Sequence, residues 1–109
     1  MTMVDEITAA ELHERLGNGD DIQVIDIRPE RAFRRGHIPG AENIPFRRFT
    51  REVNAHDWRD RIVIACPRGE SSLQAARLLE SYEGIDDGTW IANLSDGYEH
   101  WDYELETDH

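Results

Sequence analysis

Two short runs of largely β-branched residues constrain this chain most: Ile22-Gln23-Val24-Ile25-Asp26-Ile27 and Ile62-Val63-Ile64-Ala65. Each is too short for a buried helix and has the pattern of a buried strand. Helix signals alternate with them. Thr8-Ala9-Ala10-Glu11 is a capping box, with Ile7 and Leu12 placed as a hydrophobic staple, and Gly17 to Asp21 ends that helix. Pro29 suits the first turn of a short helix through Phe33. Gly36 to Gly40 is a turn, Ala41 to Ile44 a brief strand, and Pro45 to Arg61 a short helix and loop. Leu73, Ala76, Leu79 and Tyr82 give Ser71 to Tyr82 an apolar helical face, with Gly84 as its C-cap. Thr89 to Leu94 reads as a third strand, Tyr98 to Trp101 as a helical turn, and Glu104 to His109 as a frayed tail. Strands alternating with helices predict a parallel α/β sheet with right-handed crossovers. The 109 residues suit a single domain.

Charge narrows the partners. Acidic residues number 23 against 12 basic ones, for a net charge of -11, and every basic residue is arginine. Such a surface repels nucleic acid and anionic membranes, so neither is an expected partner. Acid excess without lysine suggests adaptation to high salt, where self-repulsion is screened. Seven of the 12 arginines (Arg28, Arg31, Arg34, Arg35, Arg47, Arg48 and Arg51) fall between residues 28 and 51. That local basic region either guides a small anion or forms solvated pairs with neighbouring acids. No stretch reaches the roughly 20 apolar residues that span a bilayer, and Met1 to Glu6 lacks a signal-peptide pattern. A cytoplasmic chain is the expectation.

The one cysteine, Cys66, excludes an internal disulfide and a cysteine-rich zinc site. It lies one residue past a buried strand, before Pro67-Arg68-Gly69-Glu70 and a helix from Ser71. In α/β sheets, ligands sit beyond the carboxyl ends of strands. Gly69 lets the loop curl so that its N–H groups point inward, and the helix N-terminus adds positive potential. Arg68 contributes a charge in the same loop, and Ser71 and Ser72 offer hydroxyls suited to capping the helix. A thiolate is favoured in such a setting. The chemistry stays open at this point among phosphate-ester attack, arsenate reduction and sulfur transfer. His13, His56, His100 and His109 lack metal-ligand spacing. Trp58, Trp90 and Trp101 read as core or rim aromatics.

Four segments resemble the rhodanese homology domains. Asp26-Ile27-Arg28 is similar to the family's D-x-R signature, and Gly36 to Pro45 to its G-H-I-x-G-A-x-N-I-P signature. Ile62 to Ser72 is similar to its active-site strand and C-x-x-G loop. Leu94 to Trp101 is similar to its L-x-G-G-x-x-x-W ending. The resemblance implies a three-layer sandwich, with a mostly parallel central sheet of about five strands flanked by helices.

It also implies a sulfurtransferase cycle in which Cys66 takes sulfur from a donor such as thiosulfate and passes it, as a persulfide, to a thiol. Pro67, Arg68, Gly69, Glu70, Ser71 and Ser72 would form the substrate-binding loop, braced by Asp26 and Arg28 from the neighbouring strand. His37 would be structural, its ring bonded to loop carbonyls. The implied partners are a small-molecule donor, a thiol acceptor and a sulfur-acceptor protein, for a monomer needing no metal or organic cofactor.

Three residues depart from the family pattern. Pro67 and Ser71 stand where many members carry arginine, and Asp96 replaces the first glycine of the last signature. A related phosphatase or arsenate reductase would want His before the cysteine and arginine six positions on, where this chain has Ala65 and Ser72. A non-catalytic binding module of the same fold is the remaining alternative.

Overall fold

A computed structural model describes residues 4–107. The order is β1 (Asp5–Ile7), α1 (Ala9–Gly17), β2 (Gln23–Asp26), α2 (Glu30–Arg35), β3 (Glu42–Asn43), α3 (Phe46–Glu52), β4 (Arg61–Ala65), α4 (Ser71–Glu80) and β5 (Trp90–Leu94). A 3-10 turn, Tyr98–His100, follows. The five strands form one sheet in the order β1-β5-β4-β2-β3, with every pair parallel.

The two strongest sequence runs occupy the interior of the sheet because both of their faces are covered. Side chains alternate across a strand, so each run feeds two cores. Val24, Val63, Ala65, Ala92 and Leu94 pack with Leu12 of α1 and with Trp101. Ile25, Ile62, Ile64, Cys66 and Ile91 pack with Phe49 of α3 and Ala75, Ala76 and Leu79 of α4. The result is helix, sheet, helix: the expected three layers.

Four expectations need correction. β1 was not anticipated, because Asp5-Glu6-Ile7 buries only Ile7 and carries no alternation long enough to detect. The buried face of α4 keeps Ala76 and Leu79 of the expected stripe, but Ser72 and Ala75 complete it, while Leu73 and Tyr82 are only half-buried. α4 also ends at Glu80 with Ser81 as its C-cap, and Gly84 lies beyond, in the loop. The tail is tied down through Glu106. His37 and Glu106 exchange backbone hydrogen bonds of 2.9 and 2.8 Å, and the Glu106 carboxylate accepts from Gly40 N–H at 2.8 Å. Asp108, His109 and the first three residues, with the parts of the tail and signal-peptide readings that fall on them, lie outside the described residues.

The capping box at Thr8 forms as predicted, with Thr8 and Glu11 bonding each other's backbone N–H. Asp96 explains its own departure from the glycine pattern: its carboxylate accepts from Ala9 N–H at 2.9 Å, another donor in the first turn of α1.

Candidate active site

Cys66 follows β4 directly, at the carboxyl edge of the sheet, and the residue is 3% exposed. Its Sγ accepts from Gly69 N–H at 3.1 Å and from Ser72 N–H at 3.3 Å, with the Ser72 hydroxyl 3.1 Å away. Two backbone donors thus converge on one sulfur from the loop and the first turn of α4. Backbone amides in such a nest favour an anion.

The curl that aims these donors depends on close approach. Gly69 has φ +83°, and a Cβ there would strike the backbone carbonyl of Ser95. Gly97, at φ +65°, leaves equally little room against the Pro67 carbonyl. The Cys66 loop is therefore pressed between its own helix and the Ser95–Gly97 turn. Tyr98 N–H and Glu99 N–H donate to the carbonyls of Cys66 and Pro67, each at 3.0 Å, which ties the loop to the 3-10 turn.

The loop residues divide by direction. Gly69 and Ser72 reach the sulfur. Pro67, Arg68 and Glu70 are exposed, and Ser71 is half-buried without a bond to it. Arg68 leans toward Glu99 at 3.4 Å with its side chain 70% exposed, so its charge faces solvent and not the sulfur. The predicted serine cap is also absent: Glu70 is the N-cap of α4 and makes no side-chain cap bond. Ser72 instead donates its hydroxyl to Asn93 Oδ1 at 2.5 Å, while Asn93 Nδ2 donates to the Gly69 carbonyl at 3.0 Å. A hydroxyl carries one proton. With that proton on Asn93, Ser72 presents a lone pair to the Cys66 thiol, and a thiolate competes with Asn93 for the same proton.

Asp26 and Arg28 form a brace that reaches the cysteine indirectly. The fully buried Asp26 carboxylate takes Arg28 Nη2 at 2.7 Å and Nε at 3.1 Å, and it also accepts from Arg28 N–H at 2.8 Å. Arg28 Nη2 donates further to the Gly36 carbonyl at 2.7 Å, and the guanidinium lies 3.6 Å from the centre of the Tyr98 ring. Tyr98 holds the Cys66 carbonyl, which completes the link. Burial, with Asp26 nearby, pushes the Tyr98 phenol well above its usual range.

His37 stands apart from the sulfur. Its Nδ1 lies 2.9 Å from the Phe33 carbonyl, its ring stacks on Phe33 at 3.8 Å, and its Nε2 faces Glu106 at 3.7 Å. The carbonyl it meets belongs to α2 and not to a loop. Asn93 and Tyr98 were missed by sequence reasoning. Asn93 left one signal, a polar residue inside the Trp90–Leu94 strand, where an unpaired amide is costly. No group of three or more His, Cys, Asp or Glu residues could hold a metal ion among the described residues, and no described helix is long and apolar enough to cross a membrane.

Comparison with known proteins agrees with this geometry. The pattern described as the Rhodanese-like domain matches residues 8–104. An HTH-type transcriptional regulator of Mycobacterium tuberculosis is 34% identical over 97 residues, covering 89% of this chain and 41% of the regulator. The thiosulfate sulfurtransferase GlpE of Shewanella oneidensis is 32% identical over 80 residues, covering 73% of this chain and 75% of that enzyme. A Rhodanese-like domain protein of Staphylococcus aureus superposes with a TM-score of 0.81 at 26% identity, covering 97% of this chain and all of that one. The chain thus spans about two fifths of the regulator's length.

Proposed function

The chain belongs to the rhodanese-like domain family, and from that premise we propose that it is a sulfurtransferase working as one domain through a persulfide on Cys66. One observation carries this reading: two backbone N–H groups converge on a buried sulfur at the carboxyl edge of the sheet. In the first half-reaction the Cys66 thiolate attacks the outer sulfur of thiosulfate. A new S–S bond forms, the thiosulfate S–S bond breaks, and sulfite leaves with the electron pair. The persulfide is anionic, and the loop amides stabilise it as preorganised donors. No electron acceptor or cofactor is needed. Asp26, Arg28 and Tyr98 keep the loop in register, and Pro67, Arg68, Glu70 and Ser71 form the rim a donor meets first. The named GlpE relative supports thiosulfate as the donor.

Intact mass spectrometry tests the proposal. The expected result is one added sulfur atom after incubation with thiosulfate, absent in Cys66→Ser. No Cys66-dependent gain with any sulfane-sulfur donor sinks it. That outcome favours a non-catalytic binding or regulatory module, a reading supported by the regulator in which a matching segment forms about two fifths of the length. We further propose a cytoplasmic, salt-adapted monomer that exchanges sulfur with a small thiol or an acceptor protein and binds neither nucleic acid nor membrane. The melting temperature should then rise as potassium chloride approaches molar levels, because added salt screens the net charge of -11.

A further inference from the structure

Four of the seven clustered arginines line one cavity. A groove of about 850 Å³ opens between the starts of α2 and α3, bordered by Arg31, Arg35, Arg47 and Arg48 over an apolar floor that includes Ile27 and Phe46. That volume lies within the range of small-molecule sites. Phe46 is 37% exposed, so apolar surface is open to an occupant.

Three of the four arginines around the groove are uncommitted. Among the described residues Arg31, Arg35 and Arg47 have no carboxylate partner, although acids outnumber bases almost two to one in the chain. Arg48 pairs with Glu52 at 3.1 Å. Glu30, the one acidic lining residue, leans toward Arg34 at 3.9 Å, outside the lining. Guanidinium groups pair bidentately with carboxylate or phosphate oxygens.

The groove adjoins the cysteine. Phe46 N–H donates to the Ile27 carbonyl at 2.9 Å, and Ile27 N–H donates to the carbonyl of Ala65 at 3.0 Å, the residue before Cys66. Ile27 and Cys66 also share one buried cluster on the same face of the sheet. The Ile27 backbone at the groove wall therefore lies one strand spacing, on the order of 5 Å, from the backbone of Ala65, the residue before Cys66.

We propose that this groove seats the oxyanion-bearing end of the sulfur acceptor, a low-molecular-weight thiol carrying carboxylate or phosphate groups. The inference rests on the persulfide reading of Cys66. In the transfer step the acceptor thiolate attacks the outer sulfur of the Cys66 persulfide. The bond between that sulfur and Sγ breaks, its electron pair returns to Sγ as the thiolate, and the acceptor leaves as a persulfide anion. Both reactants are anions, so the three unpaired guanidinium groups of Arg31, Arg35 and Arg47 offset their repulsion. The apolar floor takes the carbon chain of the thiol. A small anion fits better than an acidic protein, whose wider footprint would bring its own carboxylates against the rest of this acidic surface.

The test uses the triple variant Arg31→Gln, Arg35→Gln, Arg47→Gln, three exposed positions whose change should leave the fold intact. Persulfide-loaded wild type and variant are freed of donor and mixed with mercaptosuccinate, 4′-phosphopantetheine or neutral 2-mercaptoethanol. The variant should lose about tenfold or more in second-order transfer rate with the anionic thiols at low salt, and less than about twofold with 2-mercaptoethanol. The anionic thiol that loses more identifies the preferred oxyanion. Equal losses with all three thiols, or no loss with any, overturns the proposal. A second measurement does not depend on loading: NMR titration of Cys66→Ser with 4′-phosphopantetheine and mercaptosuccinate. Shifts at Ile27 and Phe46 that vanish in the triple-arginine background support the groove, and their absence refutes it. Failure of wild-type Cys66 to load instead sinks only the persulfide reading.

Discussion

Replacing Gly69 by alanine tests the cradle directly. A side chain at φ +83° enters the left-handed region, which costs an L-residue about 1–2 kcal/mol. The new Cβ would also meet the Ser95 carbonyl carbon at 2.9 Å and the Leu94 oxygen at 3.0 Å, with the Ser95 oxygen closer still. These obstacles are backbone, and they are held: Ser95 N–H donates to the Ile7 carbonyl at 2.9 Å and Gly97 N–H to the Leu94 carbonyl at 3.1 Å. The loop must therefore move instead. Movement breaks the 3.0 Å bond from Asn93 Nδ2 to the Gly69 carbonyl and the 3.1 Å bond from Gly69 N–H to Sγ. An orphaned buried group costs roughly 1–3 kcal/mol, so the total loss should be about 2–5 kcal/mol, read as a lower urea midpoint. Losing one hydrogen bond to a charged sulfur, at about 1.5–3 kcal/mol, should also slow persulfide loading by roughly tenfold to a hundredfold. Stability within about 0.5 kcal/mol of wild type, together with an unchanged loading rate, would refute the cradle.

Three other perturbations probe the surrounding supports. Asp26→Asn leaves the Arg28 guanidinium, with its side chain only 12% exposed, without its carboxylate. A loss of about 3–5 kcal/mol should follow in denaturant unfolding. Ser72→Ala should cost about 1–3 kcal/mol by orphaning Asn93 Oδ1, yet loading should persist, because the Gly69 and Ser72 amides still reach Sγ; mass spectrometry reads the outcome. The raised Tyr98 phenol sets an alkaline limit. Below the unfolded tyrosine pKa, near 10, both states are neutral and its contribution is intact; as pH climbs further the unfolded chain ionises first and stability falls. Melting scans above about pH 10 should show this decline, and Tyr98→Phe should flatten it.

The sequence alone determined the interior of this fold. Val24, Ile25 and the Ile62–Ala65 run bury side chains on both faces, so they read as strands whatever surrounds them, and the Thr8–Glu11 cap is a local contact set by spacing. It also placed Cys66 at a strand end before a turning loop, since that requires only chain order. What it could not reach is whatever depends on distant segments meeting. Asp5–Ile7 becomes a strand only because β5 offers it a parallel edge. Glu106 is held because His37 and Gly40 lie opposite it. Ser72 turns from capping a helix to meeting Asn93, 21 residues away, and Arg68 turns to Glu99 rather than to the sulfur. Tyr98 links Arg28 to Cys66 only after the chain has closed. The run of arginines between 28 and 51 shows the division well. Sequence gathered the charges, but only the placing of α2 and α3 at the end of β2 set four of them around one groove, on the strand next to the one that carries the cysteine. Local patterns fix what each segment becomes; direction and neighbourhood come from burial and pairing across the fold, which act at distances the sequence does not encode locally.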